Sequence, residues 1–182
     1  MDEAIFRWIN GWPDWPAPIF VFLSDATKMT PGRVLLGLVA LGVLMAGNAT
    51  RKALFLGLLS VGIANEITDV LKGTFQMARP CVELEDVLLR VGKLTSFGTA
   101  SAHSANMAAL ATIFWLAFRW RGSVWMAVAL LTGLSRIYVG VHYPSQVLLG
   151  WTCGVLAGVV VWYSWAAWVR LRAGKEPSVE PG

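Results

Sequence analysis

The segment from Val147 to Trp168 constrains the fold of this chain most, because its 22 residues include no charged side chain. A helix of that length rises about 33 Å, which is enough to cross the roughly 30 Å hydrocarbon core of a bilayer. The remaining apolar runs are shorter, and each alone would fit a buried helix of a soluble protein: 34–47, 53–64, 104–118 and 124–134. Taken together with the long segment, they favour a membrane protein with several spans.

Composition supports the membrane interpretation and argues against nucleic-acid binding. The chain is 56% hydrophobic and 14% charged, whereas soluble domains usually contain about 45–50% apolar and about 25% charged residues. The net charge is only +4, and the lysines and arginines are scattered rather than clustered as nucleic-acid contacts require. Cys81 and Cys153 lie far apart without metal-binding spacing, so we expect two unpaired thiols.

These patterns predict an all-α fold, a polytopic membrane helix bundle of about six transmembrane helices. The predicted elements span roughly 4–27, 32–49, 51–75, 101–119, 122–139 and 145–170. The first element is the least regular, because Pro13, Pro16 and Pro18 interrupt it. We expect a single transmembrane domain over residues 1–175, followed by a disordered tail at 176–182.

The distribution of positive charge gives the expected orientation. With both termini in the cytoplasm, eight lysines and arginines lie on that side and seven on the other. If Lys72, Arg79 and Arg136 are held for chemistry, the ratio becomes eight to four, which the positive-inside rule favours. We therefore expect a multi-pass protein of the cell (inner) membrane whose polar cluster faces the periplasm or the exterior.

On this topology, six polar side chains meet at one face of the membrane: Lys72, Arg79, Ser101, His103, Arg136 and His142. Ionisable groups at membrane depth are costly and usually mark a functional site. Three cations suit an anion such as phosphate, and two imidazoles can divide nucleophilic attack and proton transfer. We expect no metal and no other cofactor, because no group of Asp, Glu and His has ligand spacing.

Each of these residues has a structural explanation when it is taken alone. Lys72 and Arg79 could snorkel to the interface, and Ser101 could cap a helix. His103 could pack or cap, and Arg136 could form an ion pair inside the bundle. Their combination on one face is what favours a phosphate-binding site.

Three short stretches carry a family resemblance. Residues 72–80 read KGTFQMARP, residues 100–103 read ASAH, and residues 135–146 read SRIYVGVHYPSQ. In this order they resemble K-x6-RP, PSGH and SR-x5-H-x3-D, the signature of the type 2 phosphatidic acid phosphatase superfamily of membrane lipid phosphatases. The first stretch is similar to a complete motif, whereas the second lacks the proline and glycine, and the third has glutamine in place of aspartate.

The resemblance implies a role for each matching position. The phosphoryl oxygens would be held by Lys72, Arg79, Ser101 and Arg136, with the backbone at Ala102 close to them. His142 would be the nucleophile that forms a phosphohistidine, and His103 would protonate the leaving group and then activate water. Gln146 would orient His142 from one helical turn away, in the place of the family aspartate.

Two of these departures, at Gln146 and Ala102, affect positions to which the resemblance assigns a role in the reaction. The Gln146 amide oxygen can fix the tautomer of His142, but it supplies no negative charge. If charge at this position limits the reaction, Gln146→Asp should raise turnover; if the site is built around the amide, turnover should stay or fall. Glu66 or Asp69 could supply the missing charge, or could simply form ion pairs within the bundle. Ala102 adds a methyl group where the family has glycine.

The sequence therefore supports three functions. The first is a metal-independent membrane phosphatase that hydrolyses a lipid-linked phosphate or pyrophosphate through a phosphohistidine. The second is a phosphotransferase that uses the same histidine, and the third is a lipid-phosphate binder or transporter with weakened catalysis. In each case the expected partners are a lipid phosphate and membrane lipids, and not a nucleic acid.

Overall fold

A computed structural model describes residues 1–173 as an assembly of helices. Their bounds are α1 Asp2–Asn10, α2 Ala17–Asp25, α3 Thr30–Met45, α4 Asn48–Phe75, α5 Pro80–Glu83, α6 Ala102–Phe118, α7 Ser123–Tyr138 and α8 Pro144–Ala173, with a 3-10 turn at Arg119–Gly122 between α6 and α7. Within the described range there is no strand, so the all-α prediction is confirmed. The tail predicted at 176–182 lies outside the described residues.

Two helical segments are long and apolar enough to cross a membrane, namely residues 48–83, which include α4 and α5, and α8 with its 30 residues. The α2–α3 pair passes the same test as a unit, although its two helices are bent by 67° at the break between them. Helices α6 and α7 contain 17 and 16 residues and pack inside the same bundle. The chain therefore has the helical membrane architecture that its hydropathy predicts.

Helix α6 forms the centre of the bundle, where it packs against α4, α7 and α8. Three glycines on α8, at positions 150, 154 and 158, face it at four-residue spacing. A Cβ at Gly150 would lie 2.5 Å from the Ser101 carbonyl oxygen, and one at Gly154 would lie 2.1 Å from that of Ala105. Small residues at this spacing let two membrane helices approach closely. This close packing fixes the first turn of α6 beside the first turn of α8.

The amino-terminal region differs from the predicted single element at 4–27. It forms two helices, because Gly11 ends α1 and the prolines at 13 and 16 delay the next helix until Ala17. The Asp2 carboxylate accepts a hydrogen bond of 2.9 Å from the backbone N–H of Ser145, at the start of α8. Since α8 runs about 45 Å from there to Ala173, the two described ends of the chain lie at opposite ends of the bundle. The prediction that both termini share one side is therefore wrong for the described residues.

Candidate active site

The loop between α7 and α8 presents His142 at the edge of the bundle core. The backbone N–H groups of Val141 and His142 both donate to the Arg136 carbonyl oxygen, each over 3.2 Å. This reversal of the chain uses Gly140 at φ +90, a conformation that favours glycine. A Cβ at Gly140 would also lie 2.8 Å from Val87 Cγ1. The arginine and the histidine of the third motif are therefore held together by main-chain bonds.

The Gln146 side chain fixes the tautomer of His142. Its Oε1 lies 3.0 Å from His142 Nδ1 and accepts a second bond of 3.3 Å from the backbone N–H of Tyr143. Its Nε2 donates to the Ala78 carbonyl oxygen over 2.7 Å. Because a carbonyl only accepts and a backbone N–H only donates, the amide has one orientation that satisfies both. His142 Nδ1 must then carry the proton, and Nε2 carries the lone pair.

Arg79 lies against that lone pair. Its Nη1 donates to His142 Nε2 over 2.6 Å and to the Val141 carbonyl oxygen over 3.2 Å. Its Nε and Nη2 donate to the backbone carbonyls of Ser96 and Phe97 over 2.6 and 3.1 Å. With a further bond of 3.3 Å from Nη2 to Ser96 Oγ, every N–H of this guanidinium has an acceptor, and an anion that binds here must replace one of them.

Gly98 provides the space in which Arg79 and Gln146 meet. A Cβ at this position would lie 2.6 Å from Arg79 Cγ and 2.9 Å from Gln146 Oε1. The Gly98 N–H donates to the Met77 carbonyl oxygen over 2.8 Å, which ties the segment before α6 to the segment before α5. Only a residue without a side chain fits here, since both contacts are shorter than ordinary van der Waals distances.

Burial keeps His142 in its neutral form. Its exposed fraction is 2%, and it lies in the loop outside the membrane-spanning helices. Burial lowers the pKa of His142 well below its usual value, and the nearby guanidinium groups of Arg79 and Arg136 lower it further. The hydrogen bond with Gln146 opposes this effect in part. The imidazole is therefore unprotonated at neutral pH, and the lone pair on its Nε2 accepts the hydrogen bond from Arg79 Nη1.

The second motif forms the first turn of α6. Ser101 caps the helix, since its Oγ accepts a bond of 3.4 Å from the backbone N–H of Ser104, and its own N–H donates to the Gln146 carbonyl oxygen over 2.9 Å. Ala102 and His103 follow and line a cavity of about 380 Å³. Ser101 is thus tied to the His142 and Gln146 pair through main chain, and His103 faces the adjoining open space.

Arg136 is almost fully buried, with an exposed fraction of 1%, and it bonds Ser24, which lines this cavity. Its Nη1 donates to the Ser24 carbonyl oxygen over 3.1 Å and to the Ser24 hydroxyl, and it lies 3.8 Å from Asp25 Oδ1. Its Nε is buried and has no hydrogen-bond acceptor among the described residues. A buried charged donor without an acceptor is unusual and suits a bound anion.

The PAP2 superfamily sequence model matches residues 53–170. The chain belongs to the PAP2 superfamily. The chain is 28% identical over 137 residues to the undecaprenyl-diphosphatase of Sulfolobus acidocaldarius, a match that covers 75% of this chain but only 64% of that relative. It is 29% identical to the lipid A 4'-phosphatase of Porphyromonas gingivalis, over 98% of this chain and 80% of that one. Its fold resembles the crystal structure of Aquifex aeolicus LpxE, with a TM-score of 0.72 at 25% identity over 88% and 93% of the two chains.

Of the eight predicted site residues, Lys72, Ala102 and His103 make no hydrogen bond with His142, Gln146 or Arg79; Ala102 and His103 line the adjoining cavity, and Lys72 pairs with a carboxylate. The Nζ of Lys72 lies 2.8 Å from Asp69 Oδ1 on the same helix. Asp69 is thus paired at the surface, while Glu66 forms no ion pair with any described residue. The carboxylate that approaches the cluster is Asp25, through Arg136. No group of three His, Cys, Asp or Glu residues in the described part of this PAP2 chain has metal-holding geometry.

Several residues that contact this PAP2 site lie outside the three motifs and could not be found from the sequence pattern. Ser24 and Asp25 lie 112 and 111 positions before Arg136, and nothing in the sequence pairs them with it. Gly98 and Ser96 precede the second motif without belonging to it. Ala78 acts through its backbone carbonyl, which every residue has. The one available signal was Asp25 itself, an isolated carboxylate that follows the apolar run 19–23 after a single serine.

Proposed function

We propose that this chain is an integral membrane phosphatase that hydrolyses a lipid-linked phosphate through a phosphohistidine on His142, without a metal ion. The observation that carries the proposal is the chain of contacts from Ala78 through Gln146 to His142, which leaves Nε2 unprotonated beside Arg79. A nucleophile held by an orienting group on one nitrogen and facing a cation at the other is arranged for attack on phosphorus.

The reaction would proceed in two displacement steps, the first at the substrate and the second at the phosphohistidine. His142 Nε2 attacks phosphorus, an N–P bond forms, and the bond from phosphorus to the leaving oxygen breaks while His103 gives that oxygen its proton. Water then attacks the phosphohistidine, His103 takes a proton from it, and inorganic phosphate leaves with His142 restored. The phosphoryl oxygens would take the donors of Arg79 and the unpaired Nε of Arg136, with Lys72, Ser101 and the backbone at Ala102 completing the site.

Arg79 must release His142 Nε2 when the substrate arrives. In the free protein its Nη1 occupies the lone pair at 2.6 Å, and a phosphoryl oxygen would replace the imidazole as its acceptor. The remaining Arg79 bonds to the carbonyls of Ser96 and Phe97 hold the guanidinium in place during this exchange. Substrate binding would thus free the nucleophile and supply its electrophile in one step.

The cavity on the His103 side would hold the leaving group. It is lined by the side chains of Asn65, Asn106, Thr132 and Ser24 together with apolar residues, and its described lining includes no lysine or arginine. Asn106 Oδ1 is buried and has no donor among the described residues. Amides and hydroxyls without a cation suit a hydroxylated head group better than a second phosphate. We therefore favour phosphomonoesters of a polyol or sugar head group as substrates.

The site would face the periplasm or the exterior of a cell membrane. At the His142 end, Arg7, Lys28 and Arg90 are paired with carboxylates at 2.8, 3.0 and 2.9 Å. The opposite end has six lysines and arginines and no carboxylate among the described residues: Arg51, Lys52, Arg119, Arg121, Arg170 and Arg172. An excess of unpaired cations at that end supports a cytoplasmic position for it.

A panel of lipid phosphates assayed with the purified protein in detergent tests this function, with phosphate release as the readout. We expect release from at least one lipid phosphomonoester, its loss in His142→Ala, and no effect of EDTA. A lipid-phosphate binder is the second candidate, because Arg79 covers Nε2 and an amide replaces the orienting carboxylate. Saturable binding without phosphate release or phosphoenzyme, unchanged by His142→Ala, would favour that candidate and contradict hydrolysis.

A further inference from the structure

A second cavity lies at the end of the bundle opposite His142. It has a volume of about 260 Å³ and lies between the start of α4 and the last turns of α8. Its lining is Lys52, Trp162, Trp165, Ala166, Val169 and Arg170. Trp162 and Arg170 lie 16 and 24 residues after Gln146 on α8, so this cavity lies about 24–36 Å from the candidate active site. We call it the basic cavity.

No carboxylate of the described residues neutralises the two cations of the basic cavity. Lys52 Nζ lies 5.9 Å from the ring centroid of Trp162 and 5.7 Å from that of Trp165. Ring faces attract an ammonium group but leave its full charge in place. Neither Lys52 nor Arg170 forms an ion pair with a described carboxylate, and the nine described carboxylates all lie within residues 2–86. Within the described part of the chain, the cavity therefore has two positive charges in its lining and no carboxylate beside them.

Trp165, which lines the same cavity, has an indole N–H donor without a partner among the described residues. Its Nε1 is buried. Buried donors in native structures nearly always have a partner, so a missing partner calls for an explanation. Two cations and an N–H donor, with no acceptor side chain of their own in the lining, together fit an anionic group with several oxygens, such as a phosphate.

Exposed apolar side chains are present on α4 and α8 at this end of the bundle, and the Phe55 ring centroid lies 6.4 Å from that of Trp165 in the cavity lining. Phe55 and Leu59 on α4 are 58% and 48% exposed, and Val160 on α8 is 57% exposed. Trp165 also packs near Trp168, with ring centroids 5.0 Å apart, in the manner of an aromatic belt at the membrane interface. A lipid whose phosphate is bound here could lay its acyl chains along these exposed side chains. A soluble phosphate compound has no acyl chains to make such contacts.

We propose that the basic cavity binds the phosphate of an anionic phospholipid in the leaflet opposite the candidate active site. The phosphate would contact Lys52, Arg170 and the Trp165 indole, and the acyl chains would lie along Phe55 and Val160. Basic pockets between membrane helices recognise anionic lipid head groups through the same combination of charge and apolar surface. This proposal does not depend on the hydrolytic function, because its residues lie at the other end of the bundle.

Native mass spectrometry of the full chain in detergent, titrated with phosphatidylglycerol or phosphatidylcholine, tests the proposal. We expect the wild type to retain one phosphatidylglycerol with clear preference over phosphatidylcholine. Lys52→Met should weaken that binding by about fivefold, the loss expected for one cation at a lipid head group. Trp165→Phe, which keeps an aromatic ring but removes the N–H, should weaken it as well.

Arg121→Met is the matched control, because it removes one cation from the same end of the bundle. The Arg121 guanidinium lies 5.6 Å from the Trp120 ring and outside the lining of the basic cavity. We expect this variant to bind phosphatidylglycerol as the wild type does. Equal losses in Lys52→Met and Arg121→Met would show a diffuse basic surface and would overturn the proposal, as would equal binding of the two lipids.

A second control addresses the carboxylates at Glu176 and Glu180, which lie outside the described residues. We expect the full chain with Glu176→Gln and Glu180→Gln to bind phosphatidylglycerol with unchanged affinity. A clear increase in affinity would show that these carboxylates compete for the cavity, and it would contradict a phospholipid as the resident ligand. Thermal unfolding of each variant without added lipid separates loss of binding from loss of folding.

Discussion

Replacing Gln146 with methionine removes the amide that holds both His142 and Ala78 while it keeps an unbranched side chain of similar length. The variant loses the acceptor 3.0 Å from His142 Nδ1, so the two tautomers of the imidazole become closer in energy. It also loses the donor 2.7 Å from the Ala78 carbonyl oxygen. The ring can then rotate, and part of the population carries its proton on the attacking nitrogen.

The size of the expected effect follows from these contacts. A net hydrogen-bond contribution of about 0.5–1.5 kcal/mol changes the tautomer population by about 2- to 12-fold. In serine proteases, a change at the orienting aspartate that selects the wrong tautomer costs about 10^4 in turnover. We therefore expect phosphoenzyme formation in Gln146→Met to slow by between about tenfold and about 10^4-fold. The Ala78 carbonyl also loses a partner, which should lower stability by about 1–3 kcal/mol if it stays buried.

Rapid-quench experiments with a labelled lipid phosphate measure this rate directly. Thr152→Val is the control on the same helix, because it removes an exposed hydroxyl that bonds only the Leu148 carbonyl, and we expect a wild-type rate. Gln146→Glu should also be slower than the wild type, since its second oxygen would face the Ala78 carbonyl oxygen. A Gln146→Met rate within twofold of the wild type would refute the orienting role, and a faster Gln146→Glu would show that charge is limiting.

Three further changes test other parts of the site. Gly98→Ala should reduce kcat/KM at least tenfold, because its methyl group would lie 2.6 Å from Arg79 Cγ, whereas Gly62→Ala, with no atom within 4 Å of the new methyl, should not. The pKa of His142 is lowered in the folded chain, so only the unfolded chain takes up a proton at this residue as the pH falls below about 6.5. The thermal stability of the wild type should therefore fall as the pH is lowered, and that of His142→Asn should fall less. An equal slope in the two proteins would contradict a buried neutral imidazole. Asn106→Leu should lower kcat/KM for a sugar or glycerol lipid phosphate more than for a long-chain alkyl phosphate, and an equal loss for both would argue against a head-group cavity.

Much of the helical framework could be predicted from hydropathy alone. The predicted element 145–170 corresponds to α8 at Pro144–Ala173, and 101–119 corresponds to α6 at Ala102–Phe118. Long apolar runs give these bounds because each buried or lipid-facing helix continues until a polar cap or a proline ends it. The amino-terminal element failed for the opposite reason, since three prolines and Gly11 leave only short helical runs between them.

The orientation of the chain was harder to predict, because counting charges compares nearly equal sums. Assigning Arg7 to one side or the other changes the balance of eight to seven, and the bond from Ser145 to Asp2 is a tertiary contact across 143 positions. The candidate site was also predictable only in part. Motif spacing predicted His142 and Gln146 as site residues, but it could not predict the bond from Gln146 to the Ala78 carbonyl or the space that Gly98 leaves for Gln146. The first depends on a backbone carbonyl and the second on the absence of a side chain, so a motif of side chains reveals neither.

The position of the phosphoryl group on the trapped intermediate tests the central claim most directly. The protein would be mixed with a lipid phosphate that it hydrolyses, denatured at alkaline pH to preserve phosphohistidine, and examined by peptide mass spectrometry and 31P NMR. We predict a phosphate on Nε2 of His142 that is absent from His142→Ala. Phosphate on His103, on Nδ1 of His142, or release of phosphate by His142→Ala at the wild-type rate would contradict the mechanism.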